Sequence, residues 1–89
     1  MIETQEHTFD DELFIEAHWK LRNFLIINDG PGRITVLPAD GRETHDISIP
    51  AGDGLVVFDP EGVGLTLVTT APQTSVIVTH CFSRALYRR

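Results

Sequence analysis

Short runs of β-branched and aromatic residues, cut at intervals near ten residues by clusters of Gly, Pro, Asp and Asn, dominate the chain. That rhythm predicts an all-β sandwich or barrel, with helix scarce. Leu13-Phe14-Ile15-Glu16-Ala17-His18-Trp19 alternates at Leu13, Ile15, Ala17 and Trp19, which predicts a strand, although Leu13 and Ala17 also suit a helical stripe. Phe24-Leu25-Ile26-Ile27 is apolar at both parities and stops at Asn28-Asp29-Gly30-Pro31-Gly32, so it predicts a central strand buried on both sides.

Arg33–Leu37 and Thr44–Ile49 flank Pro38-Ala39-Asp40-Gly41-Arg42, whose Asp-Gly step is a hairpin signal because glycine supplies the positive φ of such turns. Leu55–Phe58, Leu65–Thr70 and Val76–Phe82 complete the pattern, separated by Asp59-Pro60-Glu61-Gly62-Val63-Gly64 and Ala71-Pro72-Gln73. The expected fold is one small antiparallel β-sandwich or jelly-roll-like barrel of seven or eight short strands. Its expected division is an acidic arm over 1–12, the sandwich over 13–83 and a basic tail over 84–89.

Length limits this to one domain: 89 residues hold a single core. A core that small leaves room for self-association to add stability. Seven bases against thirteen acids give a net charge of −6, which argues against a nucleic-acid binder held by many phosphate contacts. The acids and bases are also separated. Glu3, Glu6, Asp10, Asp11, Glu12 and Glu16 precede the first base, whereas after Glu61 come only Arg84, Arg88 and Arg89. Such polarity suits association in which one copy's acidic segment lies near another's basic tail. The acidic start does not read as a signal peptide, and no apolar run approaches the roughly 20 residues of a spanning helix, so no membrane contact is expected. The single Cys81 makes no internal disulfide.

Reactive constellations are not apparent. Gly30-Pro31-Gly32-Arg33 reads as a loop, because a dinucleotide fingerprint needs a third glycine and a following helix, and Pro31 removes an N–H. His80 and Cys81 are adjacent, yet neighbours on a strand point to opposite faces, so His80 shares a face with Val76 and Val78 and a Cys–His pair does not form. Cys81 reads as a structural cysteine. His7, His18, His45 and His80 fall on different segments without a paired spacing, so no metal or other cofactor is expected. No catalytic residue is expected, and the chain reads as a non-enzyme.

Gly54-Leu55-Val56-Val57-Phe58-Asp59-Pro60-Glu61-Gly62 resembles the second motif of the cupin family over nine residues. Leu65 stands where that motif places its metal-binding histidine, which leaves a buried strand closed by a tight turn. A cupin-like metal- or ligand-binding protein using His18, His45 and His80 is the alternative this resemblance implies.

From Asn23 to Phe82 the order is an apolar strand, Asn28-Asp29-Gly30, Ile34-Thr35-Val36, a polar hairpin, Ile47-Ser48-Ile49-Pro50-Ala51-Gly52, Leu55–Phe58, Leu65-Thr66-Leu67 and a final Val/Ile/Thr strand. This resembles the small β-sandwich virion proteins of tailed bacteriophages, among them capsid decoration proteins and spike or fibre base modules. The resemblance implies a protein folded in the host cytoplasm and placed in the virion, binding itself and other virion proteins such as the major capsid protein. A capsid decoration protein is the leading expectation, and the base of a head spike or tail fibre the other. Tyr and Arg concentrate at interface hot spots. The expected contact residues are accordingly Phe9, Phe14, Trp19, Leu86 and Tyr87, with Arg84 and Arg88 as charge partners.

Overall fold

A computed structural model of the chain describes residues 3–18, 21–38, 47–59 and 61–81. Among these residues the chain forms eight strands: β1 (Glu3–Phe9), β2 (Glu12–Ile15), β3 (Asn23–Gly30), β4 (Ile34–Pro38), β5 (Ile47–Ile49), β6 (Gly54–Phe58), β7 (Leu65–Thr69) and β8 (Thr74–Cys81). They pair antiparallel into two four-stranded sheets, ordered β1-β8-β3-β6 and β2-β7-β4-β5. Only β4 and β5 follow one another within a sheet, and every other connection crosses between sheets. That order is the double Greek key of an eight-stranded jelly roll. The all-β sandwich expected from the sequence is therefore the fold.

Alternation builds the core. Phe9, Phe24, Ile26, Val57, Val76 and Val78 point inward from the first sheet, and Ile15, Ile34, Val36, Ile49, Leu65 and Leu67 from the second. Each fully buried Leu, Ile or Phe contributes about 1.5–3 kcal/mol of transfer free energy. In β7 the burial alternates without exception from Leu65 to Thr69. The hairpin expected around residues 38–42 is present as the β4–β5 pair, with Ile34 opposite Ile49 and Val36 opposite Ile47. Residues 39–46, which include its Asp-Gly step, lie outside the described ones.

Two polar clusters fasten the ends of the strands. Asn28 is fully buried, and its Nδ2 donates to the carbonyls of Gly32 and Ile49, both at 2.8 Å, while Oδ1 accepts from Gly30 N at 2.7 Å. Thr69 and Thr74 join hydroxyls at 2.7 Å, and Thr74 Oγ1 also accepts from Gly32 N at 3.1 Å. Gly32 must be glycine here, since an added Cβ would collide with both threonine hydroxyls and with Ala71 N.

Four expectations are corrected. Within the acidic arm expected over 1–12, Glu3–Phe9 form an edge strand: β1 pairs with β8 from Glu3 opposite His80 to Phe9 opposite Thr74. The turn after it is also tied down, by Asp10 Oδ1 accepting from Gln73 N at 3.0 Å and Asp11 O accepting from Thr69 N at 2.9 Å. The strand expected from Leu13 through Trp19 ends at Ile15, where pairing with Leu65 at the start of β7 runs out. β3 is central, between β8 and β6, but is not buried along both faces: on the outer face Asn23 is buried while Leu25 and Ile27 are half-exposed. β6, expected as a buried strand, is an edge strand with only Val57 buried, and Leu55 and Phe58 are 41% and 56% exposed. The tight turn after it is present. Asp59 Oδ1 accepts from Val63 N at 3.1 Å and Oδ2 from Gly64 N at 2.9 Å.

Candidate functional site

Two surfaces stand out, a polar groove along one edge of the sandwich and an apolar patch on the outside of the first sheet. The groove opens between β1 and the β2 segment. On β1 the inward parity holds Gln5 and His7 before it reaches the core residue Phe9, because their partners on β8 are Val78, Val76 and Thr74. Polar side chains thus occupy the inward row that on the neighbouring β8 and β3 carries Val76, Val78, Phe24 and Ile26. Together with Phe14, Ile15, Glu16, Ala17, His18 and His80 they line a groove of about 550 Å³.

The histidines in this groove are held in specific ways. His18 Nδ1 accepts from Leu21 N at 2.9 Å, so its proton sits at Nε2. His7 Nε2 donates to Gln5 Oε1 at 3.2 Å. The His18 and His80 rings meet edge to face with centroids 5.8 Å apart, and His80 packs at 4.7 Å against the ring of Phe24. His80 therefore shares the inward face with Val76 and Val78, as the strand alternation predicts. The side chain of Cys81 lies outside the described ones.

This donor set does not fit the metal that the cupin resemblance implies. His18 commits its Nδ1 lone pair to Leu21 and presents an N–H at Nε2, while metal ligation needs a lone pair. Leu65 is buried in the core at the position of the motif's histidine. Among the described residues no three His, Cys, Asp or Glu side chains converge as a metal site, and His45 lies outside them. Among the residues that line the groove the one acid is Glu16. Glu6, Asp10, Asp11, Glu12 and Glu16 are all exposed on the strands and turn that form this edge, and the sequence has no Lys or Arg before Lys20.

The second surface is the outer face of the first sheet. Register places Ile27 beside Ile77, Leu25 beside Val56 and Thr79, and Asn23 beside Phe58 on that face. Leu25, Ile27, Val56 and Ile77 are half-buried by their neighbours, and Phe58 is 56% exposed at the edge. Toward β1 the face becomes hydroxylic. Thr4 and Thr79 pair at 3.1 Å, as do Thr8 and Ser75.

Of the contact residues expected from the sequence, Phe14 is 56% exposed and lines the groove. Phe9 is 8% exposed and belongs to the core, because it closes the inward row of β1 opposite Thr74; it is not a surface contact. Trp19, Arg84, Leu86, Tyr87 and Arg88 lie outside the described residues. Gln5 and His7 were hidden because β1 reads as a solvated polar segment. Leu25, Ile27 and Ile77 did carry a signal, an apolar run at both parities, which sequence reasoning assigns to burial within the chain.

No helix among the described residues is long and apolar enough to cross a membrane. Comparison with known protein families, with curated proteins and with solved structures gives no match to this chain. The class defined here is thus architectural: a small jelly-roll sandwich with one apolar sheet face and one polar edge groove.

Proposed function

We propose that the protein is a non-enzymatic virion structural protein, a capsid decoration (cement) protein that binds its own copies and the major capsid protein. The observation that carries this reading is the outer sheet face formed by Leu25, Ile27, Val56, Phe58 and Ile77. Antiparallel sandwiches with one face in water alternate apolar-in and polar-out. Here the two central strands and one edge strand of a sheet break that rule together, and contiguous apolar surface of this kind marks a protein contact. The jelly roll adds support, since viral capsid proteins use it, but lectins and cupins use it too and the fold alone does not choose among them. The apolar sheet face favours a macromolecular partner.

Mass spectrometry of particles purified from the virus or prophage whose genome encodes the chain tests the proposal. Stoichiometric presence on the capsid, with co-sedimentation lost in Ile77→Lys, is the expected result. Absence from purified particles overturns it. Labelled copies found only at vertices or on the tail would move the protein to the base of a spike or fibre.

A further inference from the structure

We propose that two copies of this chain pair antiparallel through their β6 edges, joining their β1-β8-β3-β6 sheets into one continuous sheet. The inference rests on the assembly reading above and names the contact between copies. The backbone leads to it first. Asn28 N donates to Asp53 O and Asp59 N to Arg22 O, and between these bonds the register sets Ile26 opposite Leu55 and Phe24 opposite Val57. In an antiparallel ladder only every second residue bonds to a given neighbour. Asp53, Leu55, Val57 and Asp59 therefore face β3. Gly54, Val56 and Phe58 turn their N–H and C=O groups the other way, where no strand among the described residues pairs with them.

The sequence leaves this edge open. Sheet edges are ordinarily blunted by charge, by proline or by shortness. β1 carries Glu3 and Glu6, and β2 and β5 are four and three residues long. β6 is five residues, Gly54-Leu55-Val56-Val57-Phe58, with neither a charge nor a proline. It is also complementary to itself. With a twofold axis at Val56, that residue meets Val56 of the second copy and each Gly54 meets a Phe58, so all three outward-turned residues find partners. The side chains agree with this register. The exposed ring of Phe58 would lie across a glycine, the pairing by which an aromatic ring covers bare backbone. Beyond that glycine it reaches Ile27, whose Cγ1 is 3.3 Å from where a Cβ of Gly54 would stand. Leu55 faces inward beside Ile26 yet is exposed at the sandwich margin, and Val57 of the second copy would flank it. Charge permits the approach. β1 lies three strand spacings from β6, about 14 Å, which exceeds the screening length of about 8 Å at physiological salt.

Residue-resolved amide exchange and sedimentation velocity on the full chain test this. Exchange at Gly54, Val56 and Phe58 should slow at least about tenfold as concentration brings the copies together, while Leu55 and Val57, bonded to β3, stay protected throughout. Val56→Pro removes an outward N–H that β3 does not use, a place where edge strands tolerate proline, and should weaken association at least about tenfold. Phe58→Lys should do the same by charging the edge. Unchanged far-UV circular dichroism and urea midpoint establish that each variant is folded; if Val56→Pro unfolds, Phe58→Lys and the exchange of the unaltered chain decide. Both copies carry a net charge of −6, so added salt should strengthen the pair. A chain monomeric at every concentration overturns the proposal. So does a dimer whose three outward amides exchange as fast as in the monomer, or one that survives both substitutions. No particles enter these measurements, and capsid binding by a chain that never dimerises would sink the edge pairing alone.

Discussion

The side-chain amide of Asn28 donates to the main-chain carbonyl of Ile49 across 2.8 Å, joining strand β3 of one sheet to β5 of the other. The same amide nitrogen donates to Gly32 O and the amide oxygen accepts from Gly30 N, so a fully buried polar side chain is satisfied on both its groups. Asn28→Leu would leave two carbonyls and one N–H without it. Each buried orphan costs about 1–3 kcal/mol. The expected loss is about 3 kcal/mol or more in urea unfolding, and Asn28→Asp should be no milder, because it sets carboxylate oxygens against two carbonyls.

Phe9 and Phe14 lie on consecutive strands and are expected to behave oppositely. Phe9→Ala opens a cavity in the core and should lower stability by about 3–5 kcal/mol, since Phe9 is 8% exposed. Phe14→Ala should change stability by no more than about 0.5 kcal/mol, its ring being 56% exposed. Denaturant titration on the same two variants checks the pair of outcomes.

Gly32 and Gly52 separate crowding from backbone preference. A Cβ at Gly32 meets the Thr69 and Thr74 hydroxyls, so Gly32→Ala should cost about 1–3 kcal/mol through displaced packing and broken hydrogen bonds. At Gly52, with φ +91° and nothing within 4 Å of an added Cβ, only the left-handed backbone is penalised, at about 1 kcal/mol. Thermal unfolding of the two alanine variants, with the Gly32 variant melting lower, is the check.

Ile77 and Ile27 sit side by side on the outer face of the first sheet. Ile77→Lys should leave the fold intact, because outward-facing surface substitutions usually change stability by about 0.5 kcal/mol or less. Its effect should appear in docking: loss of particle binding and less adsorption to a hydrophobic resin. A drop in stability comparable to that of Phe9→Ala would mean the face is covered within the chain.

The strands with apolar alternation were legible from residue order, because burial of Leu65 and Leu67, or of Val76 and Val78, leaves a period of two in the sequence. β1 was not, since Glu3, Gln5 and His7 alternate with Thr4, Glu6 and Thr8 and both parities are polar. Its place is fixed by backbone pairing with β8, which leaves no trace in side-chain hydropathy. The groove was invisible for the same reason, being made where that strand's inward row turns polar. For Leu25 and Ile27 the sequence does announce that water is unsuitable, but a sequence cannot say whether the cover comes from the same chain or another.

The pairing of β1 with β8 also governs when the molecule can be completed. Thr4 and Thr79 stand side by side although 75 residues separate them along the chain. During synthesis β1 has no strand of its sheet to pair with and must wait in the open until β8 emerges. A segment so rich in carboxylates is well suited to that wait, since it stays hydrated and resists sticking to its neighbours on a crowded polysome. Closure of the sandwich is then a late, long-range event, placing this small domain among the slower folders for its size.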